Sequence, residues 1–166
     1  MGLVWVHFKN SDGVHILKSC FLIGHREAST EILPALTEAI RQHITQYGVT
    51  EFIVGNYGGF DRMAAKAIIS AKVQYPHIQL SMLIPYHPAI RPIEPPPGFD
   101  NSFYPPGMEN IPLRFAIVRA NRYMVEHVDH LIAYAWHPAS NARNLLEYAL
   151  KRESKNLIHV TILPRP

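Results

Sequence analysis

The residues best suited to chemistry gather in three short stretches rich in glycine or small polar side chains. The densest is Gly55-Asn56-Tyr57-Gly58-Gly59-Phe60-Asp61, which follows an apolar run and opens a helical pattern. Glycine lets backbone amides approach an anion with no Cβ in the way. A helix N-terminus adds free N–H donors and partial positive charge. Together they can seat a phosphate. The spacing is neither Gly-x-Gly-x-x-Gly nor the Gly-Lys-Ser/Thr ending of a P-loop. The same loop also satisfies a tight turn needing positive φ, with Asp61 as a plain N-cap. The second stretch is Gly24-His25-Arg26. Arg26 can fork onto a phosphate or carboxylate, and His25 can hydrogen-bond a ligand or titrate near neutrality. The alternative is a surface turn with Arg26 paired to Glu27. In the third stretch, 137–144, Ser140 or Asn141 can cap a helix and can also contact a ligand.

Further residues bear on these loops. Asn121 falls among the inward positions of a helical pattern, where an unsatisfied amide is costly; it can face a ligand or tie down a loop. Arg122 follows it. Glu147 can act as a general acid or base, or pair with Arg143 or Lys151 four residues away, which is the reading the spacing favours. His127, His130 and His137 invite a metal reading, but no carboxylate or cysteine pattern completes it, so no metal is expected. No serine–histidine–acid arrangement is legible. The single cysteine, Cys20, lies inside an apolar run and suits packing better than nucleophilic attack.

These loops need a frame that brings them together. Apolar runs at 19–23, 51–54, 78–84, 130–136 and 156–163 read as strands. Helical periodicity covers a stretch beginning near Ser29 or Thr30 and carrying Ile32, Leu33, Leu36, Ile40 and Ile44. It recurs over 61–71, 114–127 and 141–152. Strands alternating with helices imply right-handed crossovers and a mostly parallel five-stranded sheet with helices on both faces, a Rossmann-like three-layer α/β sandwich. A strand order of 3-2-1-4-5 sets the first and fourth strands side by side. Ligands then bind beyond the carboxyl ends of those strands. Residues 85–112 hold nine of the fourteen prolines, so neither helix nor central strand is expected there. Phe99, Phe103 and Tyr104 argue that this long loop packs in part. Residues 1–17 read as an N-terminal extension or a hairpin ahead of one domain, 18–166.

Composition narrows the classes. Of 166 residues 48% are hydrophobic and 17% charged, an ordinary globular balance. The net charge of +3 is spread along the chain. A nucleic-acid binder usually carries a basic patch or stripe, so a small anionic ligand fits better. One cysteine fits a reducing cytoplasm. No apolar stretch reaches the roughly 20 residues a membrane helix needs, and no signal peptide is legible.

Several of these runs resemble a family. They are Cys20-Phe21-Leu22-Ile23-Gly24-His25-Arg26, the 55–61 turn with Ala64-Ala65, Tyr104-Pro105-Pro106, and Asn121-Arg122-Tyr123-Met124-Val125 leading to Asp129-His130-Leu131-Ile132-Ala133-Tyr134. Together they look like the SLOG superfamily, which groups the DNA-processing protein Smf/DprA, the LOG phosphoribohydrolases and the bacterial YpsA-like proteins. The chain is most similar to the YpsA-like branch. The resemblance implies a Rossmann-like fold and a nucleotide-related ligand. It places Asn56 where the family has a second glycine, and Ser140-Asn141 where it has a glycine pair. The catalytic glutamate of LOG-type hydrolases falls on Glu147, and their arginine falls on Ala120.

The expected function is binding of a nucleotide or nucleotide-derived ligand at the strand-end loops, in the manner of a sensor. Gly24, His25, Arg26, Gly55, Asn56, Tyr57, Gly58, Gly59, Asp61, Asn121, Arg122, Ser140 and Asn141 are the ligand-binding set. No cofactor is expected. One alternative is a phosphoribohydrolase of nucleoside monophosphates using Glu147. Another is single-stranded DNA binding. A homo-oligomer formed through the exposed aromatic and proline residues of the long loop is a further reading.

Overall fold

The computed structural model describes residues 17–165. The hairpin or extension expected ahead of residue 17 lies outside them. In chain order the elements are β1 (Lys18–Gly24), α1 (Leu33–Thr45), β2 (Val49–Val54), α2 (Gly59–Gln74), β3 (Gln79–Leu83), β4 (Asn101–Phe103), α3 (Ala116–His127), β5 (His130–Tyr134), α4 (Asn141–Glu153) and β6 (His159–Ile162).

β1 is the centre of the frame. Its apolar residues alternate between two cores: Cys20 and Leu22 face one layer of helices, Phe21 and Ile23 the other. A strand covered on both faces reads as a continuous apolar run, as this one does. β1 pairs in parallel with β2 on one side and β5 on the other. The whole sheet runs β4-β3-β2-β1-β5-β6, every pair parallel.

α1 and α2 cover the first face, burying Leu36, Ile40 and Ile44 with Ala64 and Ile68. α3 and α4 cover the second, burying Ala120, Met124, Leu146 and Ala149. The chain builds outward from β1 through β2 and β3. It then crosses back to lay β5 on β1's other side. That reversal opens a crevice at the strands' carboxyl ends.

Three expectations need correction. The sheet has six strands, because the proline-rich loop contributes β4 at an edge. Three residues between prolines show no periodicity. What fixes them is Asp100, whose carboxylate accepts the Leu80 N–H at 2.8 Å and the Lys72 ammonium at 2.6 Å. α1 begins later than its pattern suggests, after a 3-10 turn at Thr30–Ile32 for which Ser29 accepts the Glu31 N–H. Leu33, placed on an inner face by spacing, is exposed.

Candidate functional site

The predicted loops converge. At the carboxyl ends of β1, β2 and β3 lies a cleft of about 420 Å³, lined also by the start of α3 and by the start of α4, which follows β5. Gly24, His25, Arg26, Gly55, Tyr57, Gly58, Asp61, Asn121, Ser140 and Asn141 all line it. Asn56, Gly59, Arg122 and Glu147 do not. Arg114, at the entry to α3, does, and sequence reasoning passed over it. Its legible signal was position: a basic residue just after Pro112, where a helix on the second face begins at the strand ends.

The glycines serve a different purpose from the one expected. None of those in the cleft loops has positive φ; among the described glycines only Gly48, Gly98 and Gly107 do. Each instead makes room for protein. A Cβ on Gly24 would fall inside the Phe60 ring. One on Gly58 would lie 2.9 Å from the Arg26 Cα, and one on Gly59 2.8 Å from the Arg26 carbonyl oxygen. The Gly59 N–H donates to that carbonyl at 2.7 Å. The glycines thus clamp the β2–α2 turn onto the β1 loop and fix the backbone of Arg26.

Asp61 is not the N-cap of α2; Gly58 is. From the helix's first turn Asp61 reaches back, and its carboxylate accepts the Tyr57 N–H at 3.0 Å. Burial pushes its pKa up, partly offset by that bond and by Arg62. A negative side chain in the first turn of a helix is favourable, and Asp61 stands there in α2.

The cations of the cleft are uncommitted. Among the described residues the Arg26 guanidinium makes no hydrogen bond or ion pair. Arg114 only leans over the Phe115 ring, 4.7 Å from its centroid. Asn121 is half-buried, and its amide has no partner among the described residues. His25 is held as a neutral ring. Its Nε2 accepts the His137 N–H at 3.0 Å, which puts the proton on Nδ1, and its ring lies edge-on to Tyr134 and Trp136. Burial, then His137, lowers its pKa. Ser140 caps α4, accepting the Arg143 N–H at 3.1 Å. No acid lies in the first turn of α4, so its free amides keep their positive end beside the cleft.

The residues outside the cleft have structural partners. Arg122 pairs with Glu126 at 3.1 Å and stacks on Tyr148, linking α3 to α4. Glu147 is exposed and pairs with Arg143 at 3.1 Å. Ala120 is fully buried in the second core, where an arginine has no room. His127 stacks on Tyr123, His130 lies at the far end of the sheet and His137 at the cleft, so the three do not meet. Among the described residues no three histidine, cysteine, aspartate or glutamate side chains are grouped to hold a metal. No helix among them is long and apolar enough to cross a membrane.

Comparison with family models and with curated proteins finds no match. Comparison with solved structures finds DNA processing protein A from Helicobacter pylori, described for its unique single-stranded DNA binding mode. The TM-score is 0.54 at 15% identity, covering 90% of this chain and 66% of that one. This chain therefore spans just under two thirds of that neighbour's length. At such identity the likeness is one of fold.

Proposed function

We propose that the cleft binds one nucleotide-type ligand, its phosphate held by Arg26, Arg114 and the start of α4. One observation carries this reading: two guanidiniums without hydrogen bonds or ion pairs, from loops far apart in sequence, line one cleft at the switch point of a parallel sheet. A cleft of about 420 Å³ suits a small ligand. Forked guanidiniums suit a phosphate. The shared fold supports reading the chain as a SLOG-superfamily member, with the YpsA-like branch as the finer assignment.

Binding is favoured over hydrolysis, because Glu147 is tied to Arg143 outside the cleft. Melting curves with AMP test this. At about 100 times Kd a ligand adds roughly 2.7 kcal/mol of stability, so the melting temperature should rise by several degrees. Arg26→Ala and Arg114→Ala should each remove most of the rise, and no adenine should be released. Unchanged melting with AMP contradicts the reading, and adenine release lost in Glu147→Gln would restore the hydrolase.

The second reading is single-stranded DNA binding, favoured by the fold neighbour. It predicts affinity for an oligonucleotide that falls steeply with salt.

A further inference from the structure

His25 lines the cleft and also ties two of its walls together. Its Nε2 accepts the His137 N–H at 3.0 Å. Among the described residues this is the one hydrogen bond joining 137–140 to the loop after β1. The other bonds of 137–140 stay within it or run on into α4. The Ala139 N–H donates to His137 Nδ1 at 3.4 Å, and the Ser140 hydroxyl donates to the His137 carbonyl at 2.9 Å. Ser140 Oγ in turn accepts the Arg143 N–H at 3.1 Å. A chain of bonds therefore runs from the His25 ring through the His137 backbone to the cap of α4, and Ser140 and Asn141 at that helix start line the cleft.

This chain holds only while the ring is neutral. An imidazole has one acceptor nitrogen, an imidazolium none. With a proton on Nε2, donor would face donor across the contact. The ring has little freedom to turn aside. The His25 backbone N–H donates to the Tyr134 carbonyl at 3.2 Å, and the ring lies edge-on to both Tyr134 and Trp136. Residues 136–139 are exposed, so it is that loop which yields. The titratable and charged groups around the ring are Tyr134 and His137 from the β5 side, Arg165 over the Trp136 ring, Arg26 on its own loop, and Asp61 and Arg114 lining the same cleft. Burial and then His137 disfavour the charged ring, so it is neutral at pH 7 and protonates below the ordinary histidine range.

We propose that His25 is a proton-operated latch on the cleft: neutral, it holds the 137–140 loop and the start of α4 in place; protonated, it releases them. The latch adds regulation to the site and does not depend on which anion the cleft takes.

Nuclear magnetic resonance on the ligand-free, nitrogen-15-labelled protein between about pH 7.5 and about pH 4.5 decides it. The backbone amides of His137, Ala139, Ser140 and Asn141 should shift together, with the midpoint of the His25 ring. Protection of the His137 N–H from hydrogen exchange should fall about tenfold or more across the same range. His137→Ala should keep this transition, because the donor is main chain. His25→Gln, whose amide oxygen accepts without titrating, should abolish it. The proposal is overturned if the transition vanishes in His137→Ala or persists in His25→Gln, if the amides stay still while His25 titrates, or if His25 stays neutral throughout. Should His25→Gln not fold, the wild-type protein and His137→Ala decide alone. With no ligand present, failure here leaves the nucleotide reading standing, and absence of AMP binding leaves the latch standing.

Discussion

Arg26 and Arg114 reach one cleft from places 88 positions apart in the chain, and each is held there by backbone rather than by a partner for its charge. For Arg26 the hold comes from glycine. Gly58 and Gly59 press against its main chain, and Gly24 admits the Phe60 ring, which in turn stacks on Tyr134. Phe60 is fully buried and has nowhere to swing. Gly24→Ala should therefore cost about 1–3 kcal/mol in chemical denaturation, the usual range for overpacking a core. A neutral result would mean that the ring is free to move. The sequence made these glycines visible as a site but not their use. Motif spacing cannot tell an amide open to a ligand from one donated to a neighbouring carbonyl. Arg114 was missed for a related reason. A lone basic residue at a helix start carries its position but no motif, and the folded crossover shows what it faces.

At the scale of elements, the long apolar runs were legible and the short or proline-bounded pieces were not. β1 and β5 declared themselves by runs buried on both faces. β4 had no such run: three residues pair with β3 and bury only Phe103, and Asp100 with Lys72 anchors their start. The far end of the sheet holds a feature that periodicity could not show. His43 of α1, His130 of β5 and His159 of β6 pack with Tyr47, ring centroids 5.1–6.3 Å apart. His43 donates from Nδ1 to the Ala39 carbonyl at 2.7 Å. Burial holds both His43 and His130 neutral, and His130 is pushed down to about 4, with His43, His159 and Lys18 adding to the effect and Asp129 opposing it. A histidine whose folded pKa lies below its unfolded value contributes stability that is complete above about 6.5 and is lost as pH falls toward the folded value. Between pH 7 and pH 4.5 the protein should lose stability on the order of 3 kcal/mol through this cluster. His130→Leu should flatten that slope in urea denaturation. An unaltered slope would place the acid sensitivity elsewhere.

The whole molecule explains why the site lies where it does. Six parallel strands reverse their order between β1 and β5, and every loop that sequence reasoning marked at a strand end opens toward that crevice. Topology was the most legible layer, because alternation of element types constrains it more strongly than any single residue does. Charge is informative at this scale too. The net charge of +3 is small for 166 residues, while Arg26 and Arg114 line one cleft. We propose that this cleft holds a single nucleotide phosphate. Calorimetric titration of the protein with AMP at about 0.15 M salt tests it most directly, since free-surface charge pairs are largely screened there. The predicted result is one AMP bound per chain, with affinity falling about tenfold or more in Arg26→Ala and again in Arg114→Ala. Absence of AMP binding, with a thymidine oligonucleotide binding at an affinity that collapses as salt is raised, would contradict a single-phosphate cleft.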